Sequence, residues 1–146
     1  MMRRAFAPMA CAPIRGKVMH AMPYITTDNH LVTLINVFIV EPANQPHLVD
    51  LLVEATDDVM KELPGFVSAS IHASEDGTRV TNYTQWRNRE DFEAMLKNPA
   101  AQEHMRSISE IAESDSHLYE VVEAIEVGTQ EGGRSARSTK RQRLIT

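Results

Sequence analysis

Three features of this 146-residue sequence predict an α+β domain in which helices cover a four-stranded antiparallel sheet. The run 31–40 (LVTLINVFIV) is β-branched and apolar at both alternating sets of positions, the mark of a strand covered on both faces. Two further runs, 66–74 and 79–86, flank Glu75-Asp76-Gly77-Thr78, and Asp-Gly at the centre of such a junction is a strong hairpin signal. Around them lie segments whose apolar residues recur every three or four positions, as helices packed on a sheet require.

Each element follows from local chemistry. After the first strand, Pro42, Asn44 and Pro46 open a helix predicted to run to about residue 63, with Leu48, Leu52, Ala55, Val59 and Leu63 on its buried side. Pro64-Gly65 stops it. The hairpin follows. Asn88, with Asp91 three residues later, caps a short helix bearing Phe92, Met95 and Leu96. Asn98-Pro99 caps another, carrying Ala101, Met105, Ile108 and Ala112. The apolar run 117–127 is expected to be the last strand. The order β-α-β-β-α-β is the ferredoxin-like arrangement, with the second α a helical pair.

That arrangement leaves one sheet face bare, yet the first strand is apolar on both of its alternating sets, Val32, Leu34, Phe38, Val40 and Leu31, Ile35, Val37, Ile39. A second copy, sheet against sheet, is the economical cover, so a homodimer is expected.

Charge divides the chain. Residues 30–127 hold six basic and eighteen acidic side chains, a net of −12, between ends of net +3 (1–29) and +4 (128–146). An acidic middle is a poor nucleic-acid surface, and the basic end reads as a solvated tail. No apolar run reaches the roughly 18–20 residues of a membrane helix. A single cysteine, Cys11, excludes an internal disulfide and a thiolate metal cluster, which fits a reducing compartment or simple indifference to redox, and a cytoplasmic setting is expected. Residues 1–28 are expected to be a disordered extension, 29–127 the domain, and 128–146 a disordered basic tail. Arg3-Arg4 faintly suggests an export signal, but Pro8 and Pro13 interrupt the apolar stretch such a signal needs.

The hairpin decides which polar groups share a cavity. With a loop centred on Asp76-Gly77, Ile71 opposes Asn82, Ala69 opposes Thr84 and Val67 opposes Trp86. Opposed residues point to one side. The face Val67, Ala69, Ile71, Ala73, Val80, Asn82, Thr84, Trp86 is mostly small and apolar and suits the helices, with Asn82 and Trp86 as polar handles. Four residues apart, they sit about 13 Å from each other at ~3.3 Å per residue, a span suited to a flat, multi-ring ligand. The alternative is a core tryptophan and a buried asparagine satisfied by backbone. Asn36, mid-strand among apolar neighbours, is either a third handle or a residue that locks the sheet.

The stretches Leu63-Pro64-Gly65-Phe66, His72-Ala73-Ser74, Asp76-Gly77-Thr78 and Asn82-Tyr83-Thr84-Gln85-Trp86, with Arg89-Glu90-Asp91-Phe92, resemble the antibiotic biosynthesis monooxygenase family, in particular its actinorhodin-type quinone-forming branch. The resemblance spans roughly 31–127. It implies a dimeric α/β barrel built on the ferredoxin-like fold, and oxidation of a polycyclic anthrone or phenol to a quinone by O2 as co-substrate, with no flavin, haem or metal. It also implies that Asn82 and Trp86 hold the substrate's oxygen atoms. The branch has a tyrosine where this chain has Phe92, and a phenyl ring donates no proton. It also has an arginine on the last helix, for which Arg106 is the nearest match.

Further candidates are His104, at the edge of the last helix's apolar stripe and able to face the cavity, and His72, which hairpin parity turns to the opposite face. His104 reads equally as a partly exposed surface residue. Asn36, Phe92, His104 and Arg106 are thus the expected substrate contacts beside Asn82 and Trp86. No spacing suggests a metal site, a nucleotide loop or a nucleophile. Two other functions stand beside the monooxygenase. One is a non-catalytic binding or cyclisation-assisting protein of a polyketide pathway. The other is a haem-degrading oxygenase, whose iron-ligating histidine position is held here by Leu96.

Overall fold

The computed structural model describes residues 23–28 and 30–128, so the predicted 1–22 and 129–146 portions of the two tails lie outside the described residues. The elements are β1 (Val32–Val40), α1 (Gln45–Asp58), β2 (Phe66–Ala73), β3 (Arg79–Trp86), α2 (Arg89–Leu96), α3 (Pro99–Ser109) and β4 (Ala112–Tyr119). The strands form one antiparallel sheet in the order β2-β3-β1-β4, the ferredoxin-like topology expected from the sequence.

Local chemistry sets the boundaries. A short 3-10 turn, Pro42–Asn44, leads into α1, whose buried side is Leu48, Leu52 and Ala55. The helix ends at Asp58, earlier than residue 63, because Val59 leaves helical geometry (φ −127°, ψ −59°) and the chain continues as a 3-10 turn over Met60–Glu62. Asn88 Oδ1 accepts the Asp91 N–H at 2.8 Å, and Asn98 Oδ1 accepts from Ala100 and Ala101, so both predicted N-caps form.

The hairpin closes with the Ser74 N–H on the Arg79 carbonyl, and Gly77 takes the left-handed conformation at φ +78°. Ile71 opposes Asn82 and Ala69 opposes Thr84 as expected. Val67 does not oppose Trp86. A bulge between Phe66 and Ser68 sets Phe66 across from the indole and turns Val67 to solvent. The larger aromatic ring thereby occupies the covered face.

The last strand is also corrected: it is Ala112–Tyr119, not 117–127. Only Glu110 and Ile111 separate α3 from β4, so Ala112 pairs with Val40, and β1 is used up when Tyr119 reaches Thr33. Backbone pairing to an open edge overrides hydrophobicity here. Ala112 therefore belongs to the strand, and Val122, Ile125 and Val127 are left almost fully exposed.

The helix-covered side of the sheet carries the core in two clusters. Phe38, Val40, Leu48, Leu52, Val80 and Ile108 form one; Trp86, Phe92, Met95 and Ala101 form the other. Between them runs a lateral row on adjacent strands: Ile71, Asn82, Asn36 and Ser116. On the outer side Ile39 is exposed, whereas Thr33 and Gln85 are buried where the Gln85 amide donates to the Tyr24 carbonyl at 3.0 Å.

Candidate functional site

Asn36 and Asn82 stand directly opposite each other on β1 and β3, under the helices. Both side-chain Oδ1 atoms are buried and neither has a hydrogen-bond partner. An unmatched buried amide oxygen costs about 1–3 kcal/mol, so two side by side are a considerable local cost. The sequence left open whether these amides are backbone-satisfied; their carbonyl oxygens are not.

Asn36 lines a cavity of about 130 Å³ between α3 and the β1–β4 part of the sheet. Phe38, Met105, Ile108 and Ala112 supply its apolar surface, and Ser109, Ser114 and Ser116 its hydroxyls. None of these side chains is titratable. The cavity offers neutral donors and acceptors beside apolar walls, with Ser109, Ser114 and Ser116 on its exposed side.

Trp86 lies on the same face as Asn82, deep in the second core cluster. Its indole N–H donates to Thr84 Oγ1 at 3.3 Å, a long bond, and its ring packs edge-on against Phe66 (5.3 Å) and Phe92 (6.2 Å). Phe92 is thus a neighbour of the tryptophan and does not line the Asn36 cavity. His104 is half-buried on α3 and also lies outside the cavity lining. Arg106 is exposed and ion-paired with Glu103 one turn away, so the structure does not bring it to the amide pair. His72 is exposed, on the face opposite the helices, as hairpin parity requires.

The structure thus groups Asn36 with Asn82, and Trp86 with Phe92, as adjacent clusters of one covered face. Sequence reasoning missed Ser114 and Ser116. Their alternation (Ala112, Ser114, Ser116, Leu118) becomes legible once the strand begins at Ala112. Among the described residues, no group of three or more His, Cys, Asp or Glu side chains is placed to hold a metal ion. Among them too, no helix is long and apolar enough to cross a membrane.

Comparison with known proteins finds the same fold in solved structures. ActVA-Orf6, a monooxygenase of Streptomyces coelicolor solved with Nanaomycin D, superposes with a TM-score of 0.61 at 29% identity, over 66% of this chain and 92% of that one. A mutant form of SnoaB, a cofactor-independent oxygenase of Streptomyces nogalater, shares the fold: TM-score 0.58, 19% identity, 65% of this chain and 96% of that one. Tetracenomycin-F1 monooxygenase of Streptomyces glaucescens is 47% identical over 91 residues, 60% of this chain and 81% of that protein. The family model for antibiotic biosynthesis monooxygenases matches residues 31–107, more than half of the chain and every element from β1 to most of α3. The chain belongs to the antibiotic biosynthesis monooxygenase family.

Proposed function

We propose that this protein is a cofactor-independent monooxygenase that converts a hydroxylated polycyclic aromatic, of the anthrone or phenol type, to a quinone with O2. The observation that carries the reading is the pair of unpartnered amide oxygens on Asn36 and Asn82. A phenolic or enolic O–H supplies the missing donor to one of them, and the other amide can turn its N–H to the same oxygen. Once the proton leaves, rotation of each amide about its last side-chain torsion presents N–H instead, and the same two residues stabilise the oxyanion. The relatives support the reading, since one is named for the oxidation of tetracenomycin F1 and another was solved with Nanaomycin D.

The chemistry needs no group beyond substrate and oxygen. An anthrone loses a proton to water, since the cavity lining holds no titratable side chain, and the electron-rich anion passes one electron to O2. The radical pair recombines at the ring carbon to a peroxide anion, which takes a proton back to become the hydroperoxide, and loss of water leaves the quinone: anthrone plus O2 gives anthraquinone plus water. Asn36 and Asn82 hold the oxygen on which negative charge develops. Phe38, Met105 and Ile108 keep bulk water from the anion. Trp86 closes the far end of the β3 face, its N–H released from the long Thr84 bond to a second substrate oxygen.

A homodimer belongs to the same reading. Ile35, Val37 and Ile39 form an apolar stripe on the outer face of β1, beside the area that residues 23–28 cover, and a second sheet is a fitting cover for it.

The test is quinone formation from anthrone by metal-stripped protein in air, with O2 uptake measured in parallel. Expected are acceleration over buffer, one O2 consumed per quinone, and a fall of about 10²-fold or more in Asn82→Ala. Tight binding without acceleration would make the protein a binding or cyclisation-assisting factor, the reading that Phe92 favours.

A further inference from the structure

We propose that Ser116 is a specificity-determining contact of this site, selecting substrates that carry a second oxygen on the same ring edge as the one held by the asparagines. The inference rests on the reading above but is separable from it, since it concerns binding whether or not oxidation follows.

Ser116 is the direct neighbour of Asn36 across the β1–β4 pairing, as Asn82 is across β1–β3. The three side chains therefore point to one side of the sheet in a straight lateral row, each step ~4.8 Å, the spacing of neighbouring strands. Peri oxygens of a fused tricycle lie closer together than one such step, so adjacent side chains of the row reach them by converging on one edge of the ligand. Ser116 also lines the same cavity as Asn36 and stands where that cavity meets the exposed edge strand.

The composition of β4 points the same way. Its outward positions are the large, charged or aromatic Glu113, Asp115, His117 and Tyr119, while its cavity side at mid-strand is Ser114 and Ser116. Small side chains keep the mouth open, and a hydroxyl both donates and accepts, so it matches a phenol before and after ionisation. Neither serine hydroxyl is engaged by another protein group among the described residues. Asn36 and Asn82 supply the contact to the reacting oxygen; Ser116 reads what lies beside it.

The test uses the full chain and two probes. Anthrone has one oxygen, and 1,8-dihydroxyanthrone adds two along the same edge. Binding is followed by quenching of Trp86, the single tryptophan, and turnover by quinone absorbance. Wild-type protein should bind the dihydroxy compound more tightly than anthrone. Ser116→Ala should raise Kd and KM for the dihydroxy compound about tenfold while leaving anthrone within twofold, and Ser116→Thr, which keeps the hydroxyl, should restore the preference. Ser114→Ala should have a smaller effect. Equal losses on both probes, no loss on either, or no wild-type preference would overturn the inference. If both probes bind but neither is oxidised, the proposed activity fails and the Kd ratio still decides the role of Ser116.

Discussion

Replacing Asn36 or Asn82 by leucine separates folding from chemistry. The two shapes are similar, and leucine leaves no unmatched oxygen beneath the helices. Each substitution should therefore raise the stability of the ligand-free protein by about 1 kcal/mol while abolishing turnover. Thermal unfolding beside the anthrone assay checks both; a variant that is less stable and equally active would refute the assignment. Gly65 makes the converse case. It sits at φ +80°, and a Cβ there would collide with the Asp91 carboxylate that binds Arg87. Gly65→Ala should cost about 1–3 kcal/mol with little change in the KM of the folded fraction, as denaturant titration would show. At this scale the candidate site was half legible. Parity of the hairpin put Asn82 and Trp86 on the covered face, because alternation is strict in a regular strand. The direct pairing of Asn36 with Asn82 was not legible, because the register between non-consecutive strands leaves no mark in local sequence.

At the scale of the element, the hairpin is fastened by one carboxylate. Asp76 accepts hydrogen bonds from the Thr78 N–H, the Thr78 hydroxyl and the Ser74 hydroxyl, which lower it from the ordinary 3.8 to about 2. A group whose folded pKa lies below its unfolded one stabilises the fold above the unfolded value and loses that contribution as pH falls through the folded one. The Asp76 contribution is thus complete above about pH 4 and gone below about pH 2. Asp76→Ala should flatten the acid limb of the stability profile in that window, followed by circular dichroism; an unchanged limb would refute it. Gln45 strengthens the same end of the hairpin by donating to the Ser74 and Arg79 carbonyls, each at 2.9 Å. Helix caps and the hairpin turn were readable because their signals are local. The last strand was not, since Ala112-Glu113-Ser114-Asp115-Ser116 carries no apolar pattern and forms a strand only because β1 offers an open edge two residues past α3.

For the whole molecule, the outer face of the sheet is the expected seat of self-association. Ile39→Asp should turn a dimer into a monomer in sedimentation equilibrium without unfolding the core, since Ile39 is 47% exposed within one chain. A wild-type protein that sediments as a monomer at all concentrations would sink the dimer. The topology itself was legible, because the number, type and order of elements suffice to select the ferredoxin-like arrangement once connections are required to be short and right-handed.

The polar row across the sheet has one more consequence. It separates two apolar clusters that would otherwise merge, so the free protein is built around a seam. A flat ligand with hydroxyls along one edge is complementary to that seam: it satisfies both amide oxygens and lays carbon where the clusters fail to meet. The substrate is then a temporary part of the interior, and binding should tighten the molecule as a filled core would. At a concentration of about 100 times Kd it should add ~2.7 kcal/mol to stability. The amides at the centres of β1 and β3 should then exchange with deuterium more slowly than those at the strand ends.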